Sequence, residues 1–298
     1  NATTTIQVTA LNDKPVVTTD TAGTYAFTEG APAILANSGL SLADPDDTNL
    51  TGATVAISGG SVIGDLLAID SGVLTTAGLS LDAASTPTSL ILTGKASLAA
   101  YENVLRQVKF SSSSDDPTAA TRTLSWRVTD DFASRLTDFP PGNDGSIVKE
   151  TSTVATSTIT VIPVNDAPTL SGLPGSPVPY TEGATAATLA GAISLADVDD
   201  TNLTRAEVWI SGGFTTGDTL AATVGATGIT ASYSSATGLL TLTHAGTSKA
   251  SFESVLRSVS FSSSSTDPTA TSATRTISWQ VTDADASTAG TIKLASTI

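Results

Sequence analysis

The amino-acid sequence predicts an all-β protein made of two tandem β-sandwich domains. Short alternating stretches rich in Thr, Val and Ile recur between clusters of Gly, Asp, Asn and Ser, a pattern typical of antiparallel sandwiches, and helix signals are nearly absent. Two long blocks of the chain also repeat at one fixed offset. The following pairs are each 153 residues apart: Glu29 and Glu182, Asp44 and Asp197, Trp126 and Trp279, and Asp130 and Asp283. The 298 residues therefore divide into two units of about 150 residues, a usual domain size.

The shared motifs set the predicted domain boundaries. Residues 12–164 form repeat 1 and residues 165–298 form repeat 2. Residues 1–11 resemble residues 156–164, which immediately precede the second NDxP motif. We therefore predict that residues 1–11 are the last strand and linker of a preceding repeat, within a longer array.

Repeat 1 carries a loop insertion at about 134–149 that repeat 2 lacks. A long connection between strands is predicted to lie at the surface. It is either a neutral lengthening of the connection or a ligand-contacting loop with an exposed Phe139.

The strands can be placed one by one. Residues 54–58 and 207–211 alternate in polarity and run into a Gly-Gly turn. Residues 229–233 and 239–243 flank the sequence SSATG and predict a hairpin, with Gly238 supplying the positive φ angle that the turn needs.

Each repeat is also predicted to contain one short helical turn. In segments 97–110 and 248–261, apolar residues recur at i, i+3 and i+4, which indicates one or two helical turns before a strand. Alternation in the motif RT[LI]SWxVTD places Trp126 and Trp279 in a central strand, and we expect both to pack in the core.

Composition excludes several classes of function. The net charge of −15, with only 13 Lys and Arg scattered along the chain, argues against nucleic-acid binding, which needs clustered basic residues. The chain contains no Cys, which excludes disulfides, thiol catalysis and zinc thiolate sites. No apolar stretch is long enough to insert into a membrane. The single His, His244, occurs in one repeat only, so no enzyme activity is predicted.

The acidic motif ADPDDTNL, repeated as ADVDDTNL, is the strongest candidate for chemistry. Its Asp44, Asp46 and Asn49 offer oxygen ligands of the kind that calcium prefers, and no Lys or Arg lies in the segment. Without a cation these carboxylates would repel one another. The alternative is an Asp/Asn turn that binds its own backbone; recurrence in both repeats favours calcium.

The ordered set NDxP, TEG, ADxDDTNL, GDxLA and WxVTD resembles the cadherin-type repeat, and more narrowly the cadherin-like repeats of large bacterial surface adhesins of the repeats-in-toxin kind. The resemblance covers about residues 12–298. It implies Greek-key, immunoglobulin- and cadherin-like β-sandwiches arranged end to end, with calcium held at each junction by both domains and the linker.

The resemblance also implies the ligands. The junction inside this chain would use Glu29, Glu102, Asn165, Asp166, Asp197, Asp199, Asn202 and Asp283. The N-terminal edge would offer Asn12, Asp13, Asp44, Asp46, Asn49 and Asp130, while Glu182 and Glu253 would face a downstream linker. Edge sites are expected to bind calcium more weakly.

The predicted function is that of a non-enzymatic, extracellular adhesin repeat region on the outer surface of a bacterium. Calcium would stiffen a rod that extends a distal binding domain for cell adhesion or biofilm formation. The expected partners are calcium ions and neighbouring repeats of the same chain, with glycan or surface protein as further candidates. The alternatives are a glycan- or protein-binding sandwich module, acting through loop 134–149, Trp209 or Tyr233, and accessory domains of a secreted hydrolase.

Overall fold

The computed structural model contains two compact units, Asn1–Val164 (unit 1) and Asn165–Ile298 (unit 2), each with its own hydrophobic core. The residues that it describes are 3–6, 12–118, 121–131, 149–284 and 294–297. Of the predicted insertion, only its last residue is described, and Phe139 lies outside the described residues. Of the predicted N-terminal strand, only residues 3–6 are described, and they carry no strand assignment.

Unit 1 is built from eleven described strands and two helices. The strands are β1 (Val16–Thr18), β2 (Ala26–Thr28), β3 (Ile34–Leu35), β4 (Ser41–Ala43), β5 (Asn49–Gly59), β6 (Asp65–Ala68), β7 (Ser80–Leu81), β8 (Ser89–Ser97), β9 (Lys109–Ser112), β10 (Arg122–Asp130) and β11 (Ala155–Ile162). The helices are α1 (Ser71–Ala77) and α2 (Leu98–Leu105). The sheets have the orders β2-β11-β10-β5-β8-β7, β3-β9-β6 and β1-β4.

Unit 2 repeats this plan. Its described strands are β12 (Thr169–Ser171), β13 (Ala187–Thr188), β14 (Ser194–Ala196), β15 (Asn202–Gly212), β16 (Asp218–Ala221), β17 (Thr230–Ser234), β18 (Leu239–Ser248), β19 (Ser260–Ser263), β20 (Thr276–Asp283) and β21 (Leu294–Thr297), with helix α3 (Lys249–Arg257). The sheets have the orders β17-β18-β15-β20-β21, β13-β19-β16 and β12-β14. The predicted all-β sandwich class is confirmed for both units.

The core of each unit contains the tryptophan that the sequence predicts to be buried. Burial alternates along β10, so that Leu124, Trp126 and Val128 are buried while Arg127 faces outward. The Trp126 indole donates to Ser157 Oγ at 2.9 Å, which satisfies its buried N–H. Trp279 in β20 is likewise buried, so both predicted core tryptophans are confirmed.

The predicted hairpin is confirmed as β17 and β18. Gly238 has φ of 66°, and its N–H donates to the Ser234 carbonyl at 2.9 Å. Unit 1 differs at the corresponding place, because helix α1 and the two-residue strand β7 precede β8. Sequence periodicity did not predict α1. It is a seven-residue helix held by Asp70, which accepts the N–H of Gly72, and closed by Gly78 with φ of 70°.

Helices α2 and α3 confirm the predicted helical turns. Each is capped by a serine, Ser97 or Ser248, whose Oγ accepts a backbone N–H three residues on. Each buries an aromatic residue, Tyr101 or Phe252, against the sandwich. Among the described residues, no helix is long and apolar enough to cross a membrane.

Loss of a helix cap provides a first test of this packing. We expect Ser97→Ala to lower the free energy of unfolding of unit 1 by about 1 kcal/mol, because the N–H of Ala100 loses its acceptor. Chemical denaturation followed by circular dichroism measures the change. The exposed Ser61 provides the control, since Ser61→Ala should change stability by less than about 0.5 kcal/mol. Equal effects of the two variants would contradict a capping role.

Candidate metal centres

The acidic loop of unit 1, residues 44–49, joins β4 to β5 and brings carboxylates together. Asp44 Oδ1 accepts the N–H groups of Asp46 and Asp47 at 3.1 and 2.9 Å. This is the Asx turn that the sequence allowed as an alternative. One carboxylate oxygen from each of Asp44, Asp46 and Asp47 nevertheless lies within 4.8 Å of the others. The turn therefore gathers acceptors around one point as well as ordering its own backbone.

The NDxP motif and the end of β10 form a second side of this group. Asn12 Nδ2 donates to Asp130 Oδ2 at 2.7 Å, and the N–H of Asp13 donates to Asp46 Oδ2 at 3.1 Å. Asp130 is fully buried because β10 ends opposite Leu50, at the point where the acidic loop enters β5. Three motifs that are far apart in sequence thus converge at one end of unit 1.

Unit 2 reproduces the arrangement with its own residues. Its acidic loop, residues 197–202, joins β14 to β15, and Asp197 Oδ1 accepts the N–H of Asp200 at 2.9 Å. Asn165 Nδ2 donates to Asp283 Oδ2 at 2.9 Å, and the N–H of Asp166 donates to Asp199 Oδ2 at 2.8 Å. The predicted residues at the NDxP motif, in the acidic loop and at the end of VTD therefore come together within each unit.

Several oxygens of these groups are buried without a hydrogen-bond donor from the described residues. They are Asn12 Oδ1 and Asp44 Oδ2 in unit 1, and Asp197 Oδ2, Asp199 Oδ1 and Asp283 Oδ1 in unit 2. An unsatisfied buried acceptor costs about 1–3 kcal/mol. Asp283 is fully buried, so water does not satisfy it from the surface.

Burial also raises the pKa values of three acids in these groups, Asp44, Asp130 and Asp197. The pKa of Asp44 and of Asp197 is raised chiefly by desolvation, with the neighbouring Asp46 or Asp199 contributing further. Desolvation likewise raises the pKa of Asp130, against the hydrogen bond from Asn12. A bound divalent cation would offset both desolvation and repulsion, and the donors are carboxylate and amide oxygens, the ligands of Ca²⁺. The residues present therefore fit calcium.

Some predicted ligands are engaged elsewhere. Glu102 Oε2 accepts the N–H of Leu42 at 2.9 Å, and Glu102 Oε1 pairs with Arg106 at 2.8 Å. Glu253 repeats these contacts with Leu195 and Arg257. Both glutamates thus fasten a helix to the neighbouring strand, a role that spacing within the helix could have revealed.

Four further predicted ligands make no hydrogen bond to the carboxylate groups among the contacts described. Asn49 Nδ2 donates to Thr48 Oγ1 at 3.3 Å, and Asn202 and Glu182 are exposed. The Oε2 atom of Glu29 accepts the N–H of Val164 at 2.8 Å. Their part in binding calcium stays a prediction.

Sequence reasoning missed other residues near these sites. Asp47, the second Asp of the DD pair, is 3% exposed and belongs to the group of three, and Asp200 is its counterpart. The recurrence of both Asp residues in ADxDDTNL was the available signal. The aromatic residues considered for glycan binding, Trp209 and Tyr233, are half-buried, and the Tyr233 hydroxyl donates to the Asp218 carbonyl at 2.7 Å.

Comparisons with known proteins give only distant likenesses. No family model matches the sequence, and no curated protein matches it. Among solved structures, the chain is similar to a protocadherin GammaB4 extracellular domain (13% identity, TM-score 0.30, covering 97% of this chain and 33% of that one) and to Drosophila N-cadherin EC1-4 (11%, 0.21, 96% and 50%). It is also similar to the C-terminal domain of the Streptococcus pyogenes antigen I/II-family protein AspA (12%, 0.24, 83% and 84%). The chain spans a third to a half of the two cadherin chains, and scores this low assign it to no family.

Proposed function

We propose that this chain carries calcium-binding β-sandwich repeats of an extracellular adhesion protein. One observation carries the proposal: a buried carboxylate oxygen without a donor from the described residues occurs at the matching positions Asp44 and Asp197 of the two acidic loops. The fully buried Asp283 of unit 2 adds a further such oxygen. Calcium would supply the positive charge and the coordination that these oxygens lack. A site that recurs in each unit suits a structural ion better than a single catalytic centre.

The proposed role of calcium is to stiffen the chain where one repeat follows another. In each unit the NDxP segment is hydrogen-bonded to the acidic residues, through Asn12 and Asp13 or through Asn165 and Asp166. A bound ion would fix that segment to the unit that it enters.

The finer form of the proposal is a bacterial surface adhesin whose calcium-loaded repeats hold a distal binding domain away from the cell, for adhesion or biofilm formation. Calcium modules outside cells bind with dissociation constants of about 10⁻⁴–10⁻³ M, so such sites fill outside the cell and stay empty in the cytosol. The net charge of −15 supports binding of cations and opposes association with nucleic acid.

Thermal unfolding with and without calcium tests the proposal. Calcium at about one hundred times its dissociation constant should stabilise a unit by about 2.7 kcal/mol, and the melting temperature should keep rising with concentration. The variant Asp44→Asn/Asp197→Asn is the control, because it should lose most of the rise in both units. An unchanged melting temperature at several millimolar calcium would contradict the proposal.

A further inference from the structure

The two acidic loops differ in what lies beneath them. The first residue of the helix packs under the loop in both units: the N–H of Leu98 donates to the Thr48 carbonyl at 3.1 Å, and that of Lys249 to the Thr201 carbonyl at 3.2 Å. The two side chains therefore occupy equivalent positions. Leu98 packs against the core of unit 1, whereas Lys249 brings an ammonium group to the same place in unit 2.

The ammonium of Lys249 binds the backbone of the acidic loop. Its Nζ donates to the carbonyl of Asp197 at 2.7 Å and to the carbonyl of Asp200 at 2.5 Å. These two bonds clamp the turn that Asp197 Oδ1 closes by accepting the N–H of Asp200. The loop of unit 2 thus has a fixed backbone before any cation binds, and two of its carbonyl oxygens are already engaged by a positive charge.

Two lysines of unit 1, Lys95 and Lys14, are placed differently. Lys95 pairs with Asp131, and Lys14 pairs with Glu150 at 3.5 Å. Each of these lysines meets a carboxylate outside the acidic loop, so the charge is cancelled locally. The aliphatic side chain of Leu98 has no donor for the loop carbonyls, so only its backbone N–H bonds to the loop. Among the described residues, the group of three carboxylates within 4.8 Å also lies in unit 1 and not in unit 2.

We infer that Lys249 is a built-in counter-ion that tunes the calcium site of unit 2, keeping its loop ordered without calcium and lowering its affinity for the ion. The inference rests on the proposed calcium-binding function. A positive charge bonded to the backbone carbonyls of Asp197 and Asp200 repels a divalent cation held by the same loop, and at short range in a partly buried site this repulsion is strong. Lys249 is then a positioning residue that sets the calcium concentration at which unit 2 becomes saturated.

Calorimetric calcium titration of the whole chain tests this inference. Lys249→Met keeps the aliphatic stem and removes the charge, and we expect it to tighten calcium binding to unit 2 about tenfold. The charge-preserving Lys249→Arg is the matched control and should stay within about twofold of the parent chain. All proteins in this comparison also carry Asp44→Asn/Asp46→Asn, which removes calcium binding to unit 1. The measured heat of binding then comes from unit 2.

The reciprocal variant guards against a folding defect in Lys249→Met. In the background Asp197→Asn/Asp199→Asn, Leu98→Lys should weaken calcium binding to unit 1 about tenfold, because it places the same charge beneath the other loop. Without calcium, Lys249→Met should lower the melting temperature of unit 2, since two carbonyl oxygens lose their donor.

The outcomes separate the inference from the function on which it rests. If the parent chain binds no calcium, the proposed function fails. If the parent chain binds calcium while Lys249→Met and Leu98→Lys both leave the affinity within about twofold of their backgrounds, calcium binding stands and the role of Lys249 is overturned. Tighter binding in Lys249→Met, or weaker binding in Leu98→Lys, supports the inference.

Discussion

Replacing Arg122 by Met should destabilise unit 1 by about 3–5 kcal/mol, because it strands a buried carboxylate without its partner. The side chains of Arg122 and Asp65 are both fully buried. Arg122 Nε donates to Asp65 Oδ2 at 2.7 Å, and its Nη2 donates to the Pro117 carbonyl at 2.7 Å. Asp65 also accepts the N–H of Val62 at 2.9 Å, so the charge is held by a complete network.

This ion pair joins the two main sheets of unit 1. Arg122 begins β10 in the six-stranded sheet, and Asp65 begins β6 in the three-stranded sheet. Unit 2 has the same pair, with Arg275 Nε donating to Asp218 Oδ2 at 2.5 Å. A charged bridge across a sandwich core specifies how the two sheets align, since an offset would leave both charges unpaired in an apolar interior.

Denaturant unfolding of Arg122→Met measures the effect, and two variants make it interpretable. The double variant Arg122→Met/Asp65→Asn removes both charges while the Asn oxygen still accepts from Val62, so it should lose less stability than Arg122→Met alone. Arg205→Met breaks the pair with Glu207, where Arg205 is 47% exposed, and should cost no more than about 1 kcal/mol. A loss in Arg122→Met as small as that in Arg205→Met would disprove the structural importance of the buried pair.

The elements that follow from local patterns could be predicted from the sequence. Alternation placed Trp126 in a buried strand, Gly238 marked the hairpin turn, and the i, i+3, i+4 spacing located α2 and α3. Helix α1 could not be found in this way. Its sequence SGVLTTA contains Gly and three β-branched residues, so it is set by its caps at Asp70 and Gly78 rather than by helix propensity.

Contacts between residues that are distant in sequence could not be predicted either. The motifs GDxLA and RT[LI]SW were visible in both repeats, but nothing local shows that Asp65 meets Arg122 across 57 residues. The acidic residues were easier, because their clustering in one short motif and their recurrence point to a cation. Glu102 shows the limit of motif reasoning, since its own helix supplies the arginine that holds it.

Asp197→Asn should change the stability of unit 2 in opposite directions with and without calcium. The Asn oxygen still accepts the N–H of Asp200, which preserves the Asx turn. Without calcium, the loss of one buried, repelled charge should stabilise unit 2 by about 0.5–1 kcal/mol. With calcium at about one hundred times the dissociation constant of the parent chain, the variant should lose most of the roughly 2.7 kcal/mol that binding contributes.

Differential scanning calorimetry in chelator and in calcium measures both arms on the same protein. Asp267→Asn is the matched control in unit 2, because Asp267 is exposed and its carboxylate accepts only from the neighbouring Thr269 among the side-chain bonds described. It should be close to neutral in both conditions.

The reversal of sign is what separates a ligand from a structural residue. If Asp197 serves only to close a turn, Asp197→Asn gives the same small change in stability in chelator and in calcium, because the Asn oxygen keeps the acceptor role and that role does not depend on the ion. A carboxylate that binds a cation within a group of like charges lowers the stability of the unit when the ion is absent and raises it when the ion is bound. A variant whose stability changes equally in both conditions would therefore reduce the acidic loop to an Asx turn and remove the physical basis for calcium in unit 2.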